Sequence, residues 1–400
     1  MTSTAALSAD ASTGDQSAPD AAATIRVLRS PEAVRAARLA WDRLPPRHVE
    51  ADLDYFLSVV ASRPEVIRPH VVLLERDGEP EGLLVGRLEE RALPARFGYA
   101  TVWKPKVRCI TIVHDGAVGP APAVRAMAGA LLDSLADREA DVALLHRVAV
   151  DSALYLEAST RSRAICRERF TVATRHWAAD LPDSFEAFQK GLPKSLRGNV
   201  RRDGRKLLEA YGQRLEILRL QTEADLERVL SDVEHVARTT YQRGLGAGFS
   251  ADGDGPQVRL ALQRGWFNAW VMYIDGVPCA YEVGHVYGGT FFSAAKGFDP
   301  AYGRHNVGTF LQMRMFEDLC ADPAVREVDF GFGDADYKRR CATRGWDETD
   351  FAVYAPALRP IVVATVRNAV TGADQAARRL AGKERIARVK RRWRDLRTPG

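Results

Sequence analysis

The segment Asp329-Phe330-Gly331-Phe332-Gly333-Asp334-Ala335-Asp336-Tyr337-Lys338 gathers three acids, two glycines, a tyrosine and a lysine at the end of an apolar run. Glycines at a strand end permit a bulge or a close approach of a ligand to the main chain, which marks Gly331 and Gly333 as candidate ligand contacts. A tyrosine hydroxyl there can protonate a departing thiolate, and a lysine ammonium can stabilise the oxyanion of a tetrahedral intermediate. Tyr337 and Lys338 are therefore candidate catalytic residues, with Asp334 beside them. The plain alternative is an aspartate cap followed by a solvated helix. Buried carboxylates could serve as a general base. Glu282, in Tyr281-Glu282-Val283, is the first candidate and Asp329 the second. Strand alternation leaves open whether Glu282 points to the sheet centre or to solvent.

A second constellation is Tyr302-Gly303-Arg304-His305-Asn306-Val307-Gly308-Thr309, which leads from a strand into a helix. Backbone N–H groups at a helix start hold anions, and glycine lets a phosphate reach the main chain. Asn306, Val307, Gly308 and Thr309 are the expected donors, with Arg304 alongside; an ordinary strand-to-helix turn is the alternative. The corresponding earlier loop, Gly116-Ala117-Val118-Gly119-Pro120-Ala121-Pro122, sets two prolines where donors are needed. Proline has no N–H, so the first half is not expected to bind a coenzyme.

The third constellation runs from Lys190 to Lys206, where seven of 17 positions are basic and one is acidic. On a helix, Lys194, Arg197, Arg201 and Arg205 share one face. Arginine offers bidentate contacts to phosphate or carboxylate, so these four residues are candidates for holding an anionic acceptor or a coenzyme phosphate. A solvated charged helix is the alternative. Metal chemistry finds no local motif: the five cysteines are far apart, and the eight histidines show neither i, i+4 nor H-E-x-x-H spacing. No metal site and no disulfide framework are expected, and a reducing cytoplasm fits.

Elements must position these residues. The 400-residue chain is long enough for two domains, and 46% apolar residues suffice for two cores. Residues 1–23 carry no basic start and no apolar run, which suggests a disordered leader rather than a signal peptide. A strand at Ile25, a helix capped by Ser30 with Pro31 inside it, and a helix over Leu53–Ser62 follow. A hairpin turns at Asp77-Gly78. A strand over 107–113, a helix near 122–137, the strand VALLHRV and a helix over 152–162 complete the first half. The second half repeats the order: a helix broken near Pro193, the strand LEILRL, a long amphipathic helix from Ala224 to Arg243, and a hairpin at Asp275-Gly276. The strand GGTFFSAAKGF, a helix over 307–320, REVDFGFG, a short helix and a closing strand FAVYA end it. D-G-x-P-x-small recurs at Asp77–Gly82 and Asp275–Ala280, and Ser134-Leu135-Ala136-Asp137 and Leu319-Cys320-Ala321-Asp322 each precede a strand. Two traces in the same order indicate an internal duplication. The fold class is α/β, with mostly antiparallel mixed sheets flanked by helices.

The element order and the motifs at Lys194–Lys206 and Asp329–Lys338 resemble the GNAT acyltransferase superfamily in its double-domain form, over about residues 25–356. The pattern is similar to acetyltransferases associated with cellulose and exopolysaccharide biosynthesis, and more distantly to Fem-type peptidoglycan aminoacyltransferases. The resemblance implies a coenzyme A pyrophosphate loop at Arg304–Thr309, although the second glycine of the usual loop is missing. It also implies a Tyr-Lys pair in the catalytic half, at Tyr337 and Lys338. The expected layout is a leader (1–23), a degenerate unit (24–175), a catalytic unit (176–356) and a basic tail (357–400). From Pro356 onward the chain carries +9, against +5 for the whole, so the remainder sums to −4. Ile386, Val389, Trp393 and Leu396 give this tail a helical apolar stripe, suited to an anionic membrane surface or to packing on the chain itself.

The resulting expectation is a cytoplasmic acyltransferase that uses acyl-coenzyme A as co-substrate, without metal, to acylate an amine by direct attack. The acceptor would be a small molecule or a cell-envelope or polysaccharide precursor. The alternatives are a Fem-type enzyme fed by aminoacyl-tRNA, the one role for nucleic acid, and a non-catalytic membrane-surface or scaffold protein that kept the fold.

Overall fold

The computed structural model describes residues 23–395 except 99, 241–242 and 244–247, with side chains to residue 380. The first half contributes β1 (Ala23–Leu28), β2 (Val66–Pro69), β3 (Val71–Arg76), β4 (Glu79–Ala92), β5 (Ala95–Phe97), β6 (Ala100–Trp103), β7 (Lys106–Val118) and β8 (Val142–Ala149). Then come β9 (Thr174–Asp180), β10 (Leu215–Leu220), β11 (Phe267–Ile274), β12 (Val277–Tyr287), β13 (Thr290–Phe298), β14 (Glu327–Phe332) and β15 (Arg344–Tyr354).

Local chemistry sets the two hairpins. Asp77-Gly78 and Asp275-Gly276 all have positive φ (53°, 81°, 53° and 75°), the geometry that matches the twist of the flanking strands in a two-residue turn. Ser30 Oγ accepts the Ala33 N–H, with Pro31 in the first turn, as the cap signal implied.

Thirteen strands form one sheet in the order β1-β3-β4-β7-β8-β15-β9-β14-β13-β12-β11-β10, with β2 beside β4. β5 and β6 pair separately. All pairings are antiparallel except β7 with β8 and β13 with β14. The same succession therefore occurs twice: strand, helices, hairpin, strand, helix, parallel strand, helix. Helices cover both faces of each half. Leu131 and Leu135 of Ala121–Ala136 pack on one face of the first half, and Phe56 on the other. In the second half Leu311 and Phe316 of Val307–Ala321 face Trp270, while Val233 and Val258 cover the opposite face.

Four sequence expectations need correction. FAVYA does not close the sheet: it belongs to β15, a central strand. Residues 348–354 of β15 pair with β8 of the first half, and residues 344–348 pair with β9. β9, not anticipated, pairs in turn with β14. Each half thus leaves a strand edge unpaired, and an 11-residue strand serves both. The long amphipathic helix is interrupted by a π turn at Val229–Val233 and ends at Thr239; its last expected residues lie partly outside the described ones. The helix Ala251–Gln263 was missed because Gly253, Gly255 and Pro256 argue against it. Ser250 caps it, and Pro256 lies inside it at the sixth position. The tail is a single helix, Leu358–Asp395. Its first half docks on the body, with Arg367 bonded to Glu168 and Pro94 O, and Gln375 bonded to Phe170 O. The side chains of the expected apolar stripe lie outside the described residues. Among the described residues, no helix is long and apolar enough to cross a membrane.

Phe351 of β15 is 2% exposed and sits in the first-half core. Phe351→Ala should cost about 3–5 kcal/mol. Because β15 joins both halves, the loss should shift one denaturant transition, seen alike by circular dichroism and tryptophan fluorescence. Two transitions, with only one displaced, would show independent halves.

Candidate functional site

β13 and β14 run parallel for only three residues each, Thr290–Phe292 against Glu327–Asp329. Beyond that point β13 continues along β12. β14 turns away, with a register break between Asp329 and Gly331 and with φ of +73° at Gly331 and +105° at Gly333. The strands open into a wedge between β13 and the end of β14. An extended ligand can bind there as a strand would.

Four polar side chains gather beside the wedge. Glu282 is 1% exposed, lies opposite Lys296 across the β12–β13 pair, and accepts a hydrogen bond from Ser293 Oγ at 3.2 Å. The strand alternation that left its direction open is thereby settled: it points inward. The Lys296 ammonium stands 3.2 Å from the centroid of the Tyr337 ring; burial lowers its pKa, and Glu282 opposes that shift. Tyr337 also meets Phe330 edge-on. Lys338 is buried and donates to the carbonyls of Gly331 and Phe332, both at 3.0 Å. Burial, reinforced by Lys296, lowers its pKa to about 8. Lys338 therefore fixes the turn that opens the wedge and keeps its ammonium next to it. Asp334 lies outside this group, exposed at the rim, where it accepts from Trp177 Nε1 at 3.2 Å and pairs with Arg339 at 2.6 Å.

The expected anion loop stands at the same edge. A 3-10 turn, Pro300–His305, leads to Asn306 in the left-handed conformation (φ 52°) and to the helix Val307–Ala321. The Asn306 and Thr309 N–H groups are already bonded, to Gly303 O and Asn306 O, which narrows the expected donors to Val307 and Gly308. Val307 is buried, and a Cβ at Gly308 would stand 3.1 Å from the Phe298 ring. A cleft of about 200 Å³ fronts this helix start, lined by Asn199, Asp203, Asn306, Thr309, Phe310 and Arg340. Arg304 is exposed and bonds to His305 Nε2. The sequence reading missed Arg340, Ser293 and Lys296, which lie outside a recognisable motif, and Asn199, which lies within the basic segment but carries no charge.

The basic helix is Lys194–Tyr211, with Leu196, Gly204 and Leu207 buried. Its polar residues divide around Phe310. Asn199 and Asp203 face the cleft just described, and Asn306 Nδ2 donates to Asp203 at 2.8 Å. Arg201 and Arg205 line a second cleft of about 320 Å³ with Arg314 and Glu317. Arg197 donates to Lys190 O at 3.1 Å, and Lys194 is exposed at the helix start.

The first half repeats the geometry. β7 and β8 are parallel over Cys109–Ile112 and Val142–Leu145 and then part, leaving a cleft of about 250 Å³ lined by Asp115, Ala117, His146, Arg147 and Ser152. Its helix, Ala121–Ala136, follows Pro120 and holds Pro122 in its first turn.

Between the halves lies a buried histidine–carboxylate cluster that local spacing could not reveal, since its members come from separate strands. His176 of β9 meets Asp329 of β14 (Nε2 to Oδ1, 2.6 Å) and Glu348 of β15 (Nδ1 to Oε2, 2.7 Å). Trp346 stacks on His176 with centroids 4.3 Å apart and donates to Glu348 Oε1 at 2.6 Å. His114 of β7 stands 3.6 Å from Glu348 Oε1, and the His48 ring meets His114 edge-on at 4.5 Å. Burial disfavours the His176 imidazolium, but hydrogen bonds to both carboxylates raise its pKa to about 9. Burial also works against the Glu348 carboxylate, yet the histidines hold it at about 2. Asp329, a candidate base, is committed here and also accepts the Gly331 N–H at 2.6 Å.

Residues 194–339 match the acetyltransferase (GNAT) domain family. No curated protein matches the sequence. Among solved structures, FemX is similar with a TM-score of 0.57 at 10% identity, over 84% of this chain and 98% of that one. A conserved protein of unknown function from Bacteroides thetaiotaomicron VPI-5482 is similar with a TM-score of 0.51 at 11% identity, over 82% of this chain and 100% of that one. At these identities the likeness concerns the fold.

The Lys338 pKa yields a signed prediction. Its folded value, about 8, lies below the roughly 10.4 of a free lysine, so the unfolded chain binds more protons between the two. Stability should therefore rise with pH across that window. Lys338→Met should remove this rise, measured as the difference between the two proteins' unfolding free energies from pH 7 to 10. Parallel pH profiles would refute the assignment.

Proposed function

We propose that this chain, a GNAT-type acyltransferase fold of two units, transfers an acyl group from acyl-coenzyme A to an amine at the wedge of its second unit. The observation that carries the reading is the coincidence of two features. The parallel pair β13–β14 opens after three residues, and the helix start at Val307–Gly308 stands at the same edge. An acyl pantetheine arm can pair with the opened strands while the pyrophosphate meets the helix N–H groups.

The roles then follow from position. Glu282, bonded to Ser293 and facing Lys296, takes the proton from the acceptor amine. Lys296 and Lys338 supply two positive charges against one carboxylate, which favours an oxyanion over a neutral thioester. Tyr337 is the candidate proton donor to the leaving thiolate. Gly331 and Gly333 leave room for the donor, and Asn199 and Arg340 flank the phosphates beside Asn306, Gly308 and Thr309. No metal takes part in this transfer. The acceptor belongs to the amines of cell-envelope or polysaccharide precursors, an inference by family analogy alone.

The cleft of Arg201, Arg205 and Arg314 favours a second reading, in which a polyanion such as an aminoacyl-tRNA end brings the acyl group, as in the Fem-type enzymes that the sequence resembles.

Calorimetric titration with acetyl-coenzyme A should show one site per chain, lost in Gly308→Trp while the variant's thermal unfolding stays cooperative. Failure of the folded wild type to bind any acyl-coenzyme A, with binding of aminoacyl-tRNA instead, would exchange the first reading for the second. Glu282→Gln should lower kcat by about 10²–10⁴-fold and leave coenzyme affinity unchanged; equal loss of both would deny it the role of base.

A further inference from the structure

We propose that His114, His176 and Glu348 form a binding site for one divalent metal ion of the zinc class, set at the seam where strands of the two halves meet. One ligand atom from each residue lies within 4.8 Å of the others, and the three are 3%, 0% and 2% exposed. The site is separate from the acyl-transfer wedge and does not depend on that reading.

Charge is the first argument. Glu348 and Asp329 are two buried carboxylates that flank one imidazole. Buried anions are costly without a cation. With both histidines neutral, a divalent ion balances the two carboxylates in full.

The second argument is an unmet bonding need. Neither ring nitrogen of His114 has a hydrogen-bond partner, although the residue is buried. A buried polar nitrogen left unpaired costs about 1–3 kcal/mol, and a neutral imidazole lone pair is a metal ligand. Its Nε2 is 3.6 Å from Glu348 Oε1. Two ligands bonded to a tetrahedral zinc at roughly 2.0–2.1 Å stand about 3.3 Å apart, so little movement is needed.

Third, the surroundings orient the ligands. Asp329 Oδ1 accepts the His176 Nε2–H at 2.6 Å, and Nδ1, which stands 2.7 Å from Glu348 Oε2, becomes a ligand when the ion displaces the proton between them. A carboxylate behind a histidine is the usual support of a metal-bound imidazole. Trp346 holds Glu348 by its indole N–H and stacks on His176. The His48 Nδ1 accepts the Glu50 N–H at 3.2 Å, so His48 carries its proton on Nε2 and acts as a wall, not a ligand. Two imidazoles and one carboxylate suit zinc or cobalt rather than calcium or magnesium, with a fourth position for water. The ligands come from β7, β9 and β15, so the ion would clamp the first half to the exchanged strands. Through Asp329 and the Gly331 N–H it would also steady the wedge.

The test uses the untagged full chain, purified without a metal-affinity step and stripped by a chelator. Titration with zinc chloride should show one equivalent bound per chain, with a thermal midpoint that rises with zinc concentration. Cobalt chloride should give the visible absorption of a four- or five-coordinate ion without thiolate bands. His114→Ala and Glu348→Gln should each lose the site, and Asp329→Asn should weaken it about 10–100-fold; His114→Gln replaces His114→Ala if the latter does not fold. Equal zinc uptake by the wild type and the folded variants would place the ion elsewhere and overturn the proposal. A folded wild type that takes up neither metal would overturn it as well, leaving a protonated His176 to hold the cluster.

Discussion

The exchange of β9 and β15 is the constraint on which the rest of the structure depends. β8 and β14 each end a half with an exposed edge of N–H and C=O groups, and an unpaired edge is both costly and prone to aggregation. Here β15 pairs with β8 and then with β9, and β9 pairs with β14. One sheet results where two would otherwise stand side by side. The two parallel pairs, β7–β8 and β13–β14, are held open at one end because their strands diverge while their outer neighbours stay paired. The wedge is thus a product of sheet topology, and side chains only line it.

Burial then decides the chemistry at the second wedge. Glu282, Lys296 and Lys338 are removed from bulk water, and burial is the leading cause of the lowered pKa of both lysines. A buried ammonium at low dielectric is uncomfortable until an anion arrives. The two carbonyls bonded to Lys338 and the ring under Lys296 offset part of that cost, but a carbonyl dipole is weaker than a full charge. In the proposed transfer, an oxyanion formed between them would gain more than a neutral thioester. That difference between reacting states, rather than binding strength, is what speeds a reaction.

The sequence made the elements more legible than their partners. Turn and cap chemistry is local, so Asp77-Gly78, Asp275-Gly276 and Ser30-Pro31 could be read directly. The duplication was legible because the hairpin and the helix-to-strand joint each left a trace. β9 was not, because Thr174–Asp180 has no strong alternation and is a strand only through two neighbours distant in sequence. For the same reason FAVYA was read as a closing strand, although its burial on both faces fits a central one. At the site, Tyr337, Lys338 and Glu282 were legible as residues in motifs. Lys296 was not, since its meaning comes from lying across from Glu282 and over Tyr337. The histidine cluster was hidden most completely: His114, His176 and Glu348 are separated by 62 and 172 positions in the chain, and only the strand exchange unites them.

The two halves share a topology and differ at the start of the helix beside each opening. Both have a parallel pair that opens, and both have a helix that starts beside the opening. In the second half that start carries Asn306 in a left-handed turn, and Asn306 and Thr309 line a cleft. In the first half Pro120 and Pro122 remove donors from the same place, and Gly119 packs tightly on the Glu81 carbonyl. The first unit cannot be discarded for lack of a phosphate loop, because β8 is the partner of β15 and His114 belongs to the seam. The first half is thus a structural complement to the second, with its edge paired and its histidine turned into the shared cluster.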